Sequence, residues 1–275
     1  MEEREQTHLR ELGQQALSEH NYQAAHQIAA QMITYSELEA RVLDLTAYLQ
    51  EGNTAAAEAV AGELKKIPRP GVDVYVEYLY LYLAYQQKKR IEILKPLEEL
   101  LEIAAELGER GLETKCKICN LLGMANSCLG RAREAAEYDR MAADFARSNP
   151  PKVATPAATH YSNFLFTAHN LDLSPDEKGK IAQGYGQYLG NIVPYRQRKP
   201  TQKKKLRLGY LSPDFRQHVV MRFVQAFFRN YDRENFTVYA YAMCHEDAVT
   251  QEIKPLADGW RNVHGWPTSK IADLI

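Results

Sequence analysis

The sequence predicts an α plus α/β fold, in which a solenoid of helical hairpins is followed by a short α/β segment. From Thr7 to about Gly190, apolar residues recur at spacings of three and four, the period of amphipathic helices. From Leu206 onward, strand patterns alternate with helical ones, which predicts a parallel sheet with helical crossovers. The length of 275 residues agrees, because it suggests about two domains.

The composition excludes several classes of protein. Apolar residues make up 45% of the chain and charged residues 25%, as in globular proteins, and the net charge is -1. No stretch approaches the ~20 apolar residues that span a bilayer, and the polar start is not a secretory signal. Four cysteines are too few for a disulfide scaffold of this length. We therefore expect a cytoplasmic protein with neither membrane nor nucleic acid as a partner.

One segment of the helical part shows a repeat unit clearly. Gly123 is small enough to let a second helix pack closely, Gly130 can end the first helix, and Ala135 falls where the two helices touch. This pattern resembles the tetratricopeptide (TPR) repeat. Weaker copies begin at Gly13 and around Gly52. In the first of these, Ala25 follows Gly13 at the same 12-residue offset. Residues 74–107 are expected to form another helix pair. A TPR-like solenoid is the main prediction, and an ordinary helical bundle is the alternative.

Two features of this region have competing interpretations. A row of tyrosines at helical spacing could line a protein-binding face or belong to the core, and the core is favoured. These are Tyr75, Tyr78, Tyr82 and Tyr85. Cys116 and Cys119 have the spacing of a metal or redox motif, but no second ligand pair lies at suitable spacing, so inert packing is favoured.

The chain changes character near Pro150-Pro151, which closes the last clear repeat. Ser174, Pro175 and Glu177 then predict a capped helix start. Seven basic residues between Arg196 and Arg207 are interpreted as a solvated linker rather than a nucleic-acid site. The predicted organisation is 1–150 helical repeats, 151–203 connecting helices and linker, and 204–275 the α/β segment.

Three strands and three helices are predicted in the α/β segment. The strands begin at Leu206, Phe236 and Trp260, and helices are expected over Val219–Asn230, from about Ala248, and over 268–275.

The start of this segment resembles the catalytic region of the O-GlcNAc transferase family, including its SPINDLY-like branch. The resemblance is carried by Leu206–His218 as the first strand and loop, by Phe236–Tyr241 as the second strand, and by Ser162–Phe166 in the joining segment. It implies an incomplete Rossmann-like lobe of a two-lobed GT-B enzyme. Such an enzyme moves N-acetylglucosamine from UDP-GlcNAc to Ser or Thr of proteins held by its TPR repeats, without cofactor or metal. SPINDLY relatives use a GDP-fucose donor, so the donor sugar stays open.

The same resemblance places His218 in the active site as the catalytic residue. A histidine can accept a proton or donate to a phosphate, and the alternative is a helix-start histidine bonded to backbone. Asp214 and Ser212 are substrate-binding candidates, although Asp214 could equally cap the following helix. His245 is left out, because its acidic neighbours suggest an exposed turn.

No glycine-rich phosphate loop or basic cluster follows His264. The main expectation is therefore the N-terminal part of a protein O-glycosyltransferase, inactive when expressed alone as residues 1–275. The alternative is a non-catalytic TPR interaction module with a degenerate α/β appendage.

Overall fold

A computed structural model describes residues 3–149, 156–189 and 205–275. The chain divides into two compact units, residues 1–193 and 194–275. The expected boundaries at Pro150-Pro151 and at 203–204 lie outside the described residues, as does the basic run up to Lys204.

The first unit is built from helices joined by short turns. Their bounds are α1 Glu3–Ser18, α2 Tyr22–Met32, α3 Glu37–Glu51, α4 Thr54–Leu64, α5 Val74–Gln86, α6 Leu94–Glu106, α7 Leu112–Cys128, α8 Ala132–Ser148, α9 Ala157–Ala168 and α10 Pro175–Gly184. Short 3-10 helices precede α7, at Gly108–Gly111, and follow α10, at Tyr185–Tyr188. The helix pair predicted over 74–107 is confirmed as α5 and α6.

Local capping explains where several of these helices begin. Asn21, Ser36 and Asn53 each accept a backbone N–H from the first turn of the helix that they precede. Ser174 and Glu177 form the predicted capping box at α10. Gly130 has a φ of +74°, the left-handed conformation predicted for the residue that ends the helix.

The close approach of α7 and α8 depends on Gly123, as the repeat pattern predicts. A Cβ atom at Gly123 would overlap the carboxylate of Asp139 and would lie 3.4 Å from the carbonyl oxygen of Ala135. Ala135 itself is fully buried. Glycine is therefore required here by the space available rather than by backbone conformation.

The buried side chains of the first unit form a series of clusters, each shared by helices that are near each other in sequence. One joins α1, α2 and α3, a second joins α3, α4 and α5, and a third joins α5, α6 and α7. Helices that bury one face against each neighbour in turn are the signature of a repeat solenoid.

The second unit contains a three-stranded parallel sheet of strand order β1-β2-β3. Its elements are β1 Leu206–Ser212, α11 Val219–Asn230, β2 Phe236–Ala242, α12 Ala248–Ile253, β3 Gly259–Asn262 and α13 Thr268–Leu274. The helix expected from about Ala248 is α12, which a 3-10 helix at Lys254–Leu256 follows directly. Pro255 accounts for the end of the α-helical part, because it lacks the N–H that an α-helix needs there.

Both faces of this sheet are covered by helices. Val238, Ala240 and Ala242 point to the face covered by α11 and α12, where Phe228 and Ile253 are fully buried. Tyr241 points to the opposite face and packs with Ile271 of α13. The predicted order of helical hairpins followed by a parallel α/β segment is confirmed. Among the described residues, no helix is long and apolar enough to cross a membrane.

Candidate functional site

The three parallel strands end at one edge of the sheet, where open α/β folds bind their ligands. Ser212 of β1 is in register with Ala242 of β2, which is in register with Asn262 of β3. The loops that follow these strands therefore start side by side.

The loop after β1 is fixed by Phe215. Its side chain is buried and meets Phe228 edge to face at 5.7 Å between ring centroids. The carbonyl oxygen of Phe215 accepts a hydrogen bond of 2.7 Å from the buried hydroxyl of Thr250 on α12. This anchor holds the residues on either side of Phe215, among them the predicted site residues.

The structure brings all three predicted site residues together within this loop. Ser212 accepts a 3.0 Å hydrogen bond on its hydroxyl oxygen from the backbone N–H of Asp214. The carboxylate oxygen Oδ1 of Asp214 lies 3.6 Å from Nδ1 of His218. The side chain of His218 is 39% exposed and that of Asp214 27%, so both are accessible to a ligand.

His218 is also the residue that caps α11. Its Nδ1 atom accepts a 3.3 Å hydrogen bond from the backbone N–H of Val220. The N-cap residue of α11 is therefore His218. The sequence had also allowed Asp214 to cap this helix, and that alternative is wrong. A neutral imidazole that accepts on Nδ1 carries its proton on Nε2. The free end of the ring is thus a hydrogen-bond donor.

Asp247 connects this loop to the next one. Its Oδ2 atom accepts a 2.7 Å hydrogen bond from the backbone N–H of Gln217, and its Oδ1 atom accepts from the N–H of Thr250 at 2.9 Å. These backbone donors hold the pKa of the Asp247 carboxyl below its usual value. Asp247 was not among the predicted site residues, although the Asp247-to-Thr250 spacing is that of a capping box.

A second pair of polar side chains lies at the same edge of the sheet. His245 follows β2 and His264 follows β3, and their Nε2 atoms are 3.1 Å apart. His245 is exposed, as its acidic neighbours suggested, but it is not isolated.

The two cysteines of the possible metal or redox motif lie in buried positions of the first unit. Cys116 and Cys119 lie on α7 as free, buried thiols, and burial raises their pKa values to about 11 and about 12. Within the described parts of the chain, no group of three or more His, Cys, Asp or Glu side chains is placed to hold a metal ion.

Comparison with known proteins relates the α/β unit to one family. The sequence model of Glycosyl transferase family 41 matches residues 190–260, which include β1, the His218 loop and β2. A search of curated proteins gave no match.

Solved structures similar to this chain include two of different coverage and identity. One is a mutant O-GlcNAc transferase of Thermobaculum terrenum, with a TM-score of 0.54 and 16% identity over 98% of this chain and 43% of the other. The second is the MamA protein, with a TM-score of 0.39 and 12% identity over 69% of this chain and 98% of the other. The likeness to the transferase shows the fold, and this chain spans less than half of that structure's length.

Proposed function

We propose that this chain carries the helical repeats and the first part of the catalytic region of a glycosyltransferase similar to O-GlcNAc transferase. The observation that carries this proposal is the family 41 match over 190–260, which includes the loop that holds Ser212, Asp214 and His218. The location of that loop at the carboxyl edge of a parallel sheet agrees with a ligand-binding role.

The proposed reaction transfers a sugar from a nucleotide donor to a protein hydroxyl group. The hydroxyl attacks the anomeric carbon, its proton needs an acceptor, and negative charge develops on the leaving diphosphate. His218 presents an N–H group at Nε2, which suits stabilisation of an oxygen that gains negative charge. We therefore assign His218 to oxyanion or phosphate stabilisation, with its ring positioned by the Val220 N–H. Asp214, whose Oδ1 lies 3.6 Å from Nδ1, can pair only with a ring that is protonated on Nδ1. Proton acceptance at Nε2 would require the other tautomer and the loss of the Val220 hydrogen bond.

The substrates proposed are UDP-GlcNAc as donor and Ser or Thr of protein acceptors, with GDP-fucose as the alternative donor. The helical unit offers the tyrosine row on α5 as an acceptor surface. Tyr75, Tyr78, Tyr82 and Tyr85 stack in series at 6.0–6.2 Å between ring centroids, and all four are partly exposed. They therefore combine packing against neighbouring helices with accessible ring surface, which suits peptide binding. A cytoplasmic location is part of this proposal.

A second function, that of a non-catalytic TPR interaction module, is favoured by one observation. The Nδ1 atom of His218 bonds to its own helix, as in the alternative interpretation of this residue. Under this hypothesis the histidine is a cap, and the α/β unit has no part in sugar transfer.

Transfer assays on two variants of His218 distinguish these functions. Asparagine is a good N-cap residue, so His218→Asn keeps the cap and removes the imidazole, whereas His218→Ala removes both. The assay uses the product of the complete reading frame, with UDP-GlcNAc and GDP-fucose in separate reactions and a pool of Ser- and Thr-containing peptides. We expect transfer from one donor and a loss of about 10²-fold or more in both variants.

One outcome would contradict the proposed function, and another would contradict only the role of His218. Transfer from neither donor, together with peptide binding, would support the interaction module. Wild-type rates in His218→Asn would remove His218 from the chemistry.

We also predict that residues 1–275 alone transfer no sugar, because a diphosphate needs several hydrogen-bond donors or positive charges around it in a closed cleft.

A further inference from the structure

A groove crosses the first helices of successive hairpins in the helical unit. Its first cavity has a volume of about 440 Å³ and lies between α1, α3 and α5. Its second cavity has a volume of about 510 Å³ and lies between α3, α5 and the start of α7. Leu38, Asp73 and Tyr75 line both cavities, so the two are continuous. Each cavity has the size of a small-molecule site, and two joined in this way fit an extended peptide segment.

The first cavity is lined mainly by apolar side chains. Leu17, Leu43 and Val76 are buried and form part of its wall. Arg10 and Glu39 also line it, but they pair with each other, with 2.6 Å between Nε of the arginine and a carboxylate oxygen. Neither of these charges therefore needs a partner from a ligand. An apolar wall of this kind suits one bulky apolar side chain, the usual anchor of a protein interface.

Tyr75 is held in a fixed position where the two cavities meet. Thr46 donates its hydroxyl proton to the carbonyl oxygen of Val42 at 2.7 Å, so Tyr75 is the donor in the 3.3 Å contact between the Tyr75 and Thr46 hydroxyl groups. The ammonium group of Lys117 lies 4.8 Å from the centroid of the Tyr75 ring. The same ring stacks on Tyr78 at 6.1 Å. The groove is thus continuous with the tyrosine row.

The second cavity carries a positive charge that its own lining residues do not compensate. Asp73 lines this cavity, but its Oδ1 atom accepts two backbone N–H groups at the start of α5, and the positive end of the helix dipole offsets its charge. Arg69 lies 3.5 Å from Glu77. Arg110 is exposed and has no hydrogen bond or ion pair within the part of the chain that the structure describes. Its guanidinium group is therefore available to a carboxylate of a ligand.

We propose that this groove selects protein acceptors by two side chains of one extended segment, a bulky apolar one in the first cavity and an acidic one at Arg110. This inference rests on the proposed role of the helical unit in holding protein acceptors, and it specifies which sequences are held. The apolar side chain supplies most of the affinity, because it leaves water. The acidic side chain supplies charge complementarity, which favours one set of partners over another.

Peptide selection on the 275-residue chain, without nucleotide sugar, tests the groove. A display library of random dodecapeptides is the probe. We expect the selected peptides to share one bulky apolar residue and one acidic residue at a fixed spacing. One selected peptide is then synthesised with a fluorescein label, and its affinity for the wild type and for variants is measured by fluorescence polarisation.

Two variants test the first cavity. Val42→Lys places a charge in the cavity, and Gln14→Trp places a large ring at a residue that lines it. Each should weaken binding of the labelled peptide at least about tenfold, because the apolar side chain then stays in water. Gln14 is exposed on α1, so its replacement is informative even if Val42→Lys fails to fold. Gln15 is the exposed neighbour that does not line the cavity, and Gln15→Trp is the matched control, which should bind as the wild type does.

Charge reversal tests the second cavity. Arg110→Glu should weaken binding of the labelled peptide about threefold or more, and a new selection on this variant should yield a basic residue in place of the acidic one. The control is Arg133→Glu on α8, which changes another exposed arginine that has no ion pair among the described residues.

Three results would each overturn the proposal. These are a selection without a shared apolar and acidic residue, an acidic preference that persists in Arg110→Glu, and equal affinities in Gln14→Trp and Gln15→Trp. None of these measurements involves sugar transfer, so the groove can fail while the transfer proposal holds. Selective binding by a protein that transfers sugar from neither donor would retain the groove and refute the transfer proposal alone.

Discussion

Asp139 on α8 lies directly against Gly123 on α7, so closely that a Cβ atom on Gly123 would overlap its carboxylate. Asp139 is buried, and its Oδ2 atom is 3.1 Å from the hydroxyl of Thr167 on α9. Three successive helices therefore meet at one buried carboxyl group.

Gly123→Ala should destabilise the helical unit by roughly 1–3 kcal/mol, because the added methyl group forces α7 and α8 apart or displaces Asp139. The matched control is Gly62→Ala on the exposed side of α4, where a Cβ atom meets nothing within 4 Å. That variant should be stabilised by about 0.5–1 kcal/mol, since alanine is the better helix former. Denaturation followed by circular dichroism at 222 nm measures both, and equal effects would contradict the predicted contact.

Asp139→Asn should stabilise the protein, and the gain should depend on pH. Burial raises the pKa of the Asp139 carboxyl from its ordinary 3.8 to about 6, and the Thr167 hydrogen bond only partly opposes this. Between these values the folded state binds more protons than the unfolded state, so the wild type loses stability as pH rises through this range. Asparagine is neutral throughout and avoids this loss.

The expected advantage of Asp139→Asn is about 3 kcal/mol at pH 8 and close to zero near pH 3, taking about 1.4 kcal/mol for each factor of ten in the acid equilibrium. Urea denaturation of both proteins at a series of pH values measures the difference. An advantage that does not change with pH would show that the carboxyl ionises normally in the folded state.

The helical part could be predicted from sequence because each repeat is local. The offset between Gly123 and Ala135 lies within one hairpin, and both residues meet where the pattern placed them. The role of the tyrosine row was harder to predict, because half-buried rings agree with both the core and the surface interpretation. In the α/β unit, the alternation of strands and helices was sufficient to predict a parallel sheet.

The candidate site was predicted only where it is contiguous. Ser212, Asp214 and His218 lie in one loop, whereas His245 and His264 are brought together by strand register across β2 and β3. Acidic neighbours of His245 indicated exposure correctly but carried no information about its partner. A usable signal was present, since each histidine follows closely after the end of a strand and adjacent parallel strands end at the same edge.

Thiol labelling should distinguish Cys128 from the other cysteines. Cys128 is exposed, whereas Cys116, Cys119 and Cys244 are buried, and burial raises the pKa of each of these three thiols. Because the thiolate is the reactive form, we expect a disulfide reagent at pH 8 to modify about one thiol rapidly in the native protein. Cys128→Ser should abolish the rapid phase, and all thiols should react in denaturant. Rapid labelling of Cys116 or Cys119 would contradict their assignment to inert packing.

The cap formed by His218 should be measurable apart from any catalytic role. Loss of an N-cap side chain typically costs about 0.5–2 kcal/mol, so His218→Ala should destabilise the α/β unit by that amount. His218→Asn should remain close to the wild type, because an asparagine side chain can accept the Val220 N–H in place of Nδ1. Both tryptophans of the chain, Trp260 and Trp266, belong to this unit, so tryptophan fluorescence during urea denaturation reports on it selectively. If both variants unfold at the wild-type midpoint, the hydrogen bond from Val220 does not stabilise α11, and the placement of the His218 proton on Nε2 loses its support. If His218→Ala alone is destabilised, the ring is held by its helix with Nε2 outward, as the proposed role of a donor to the leaving group requires.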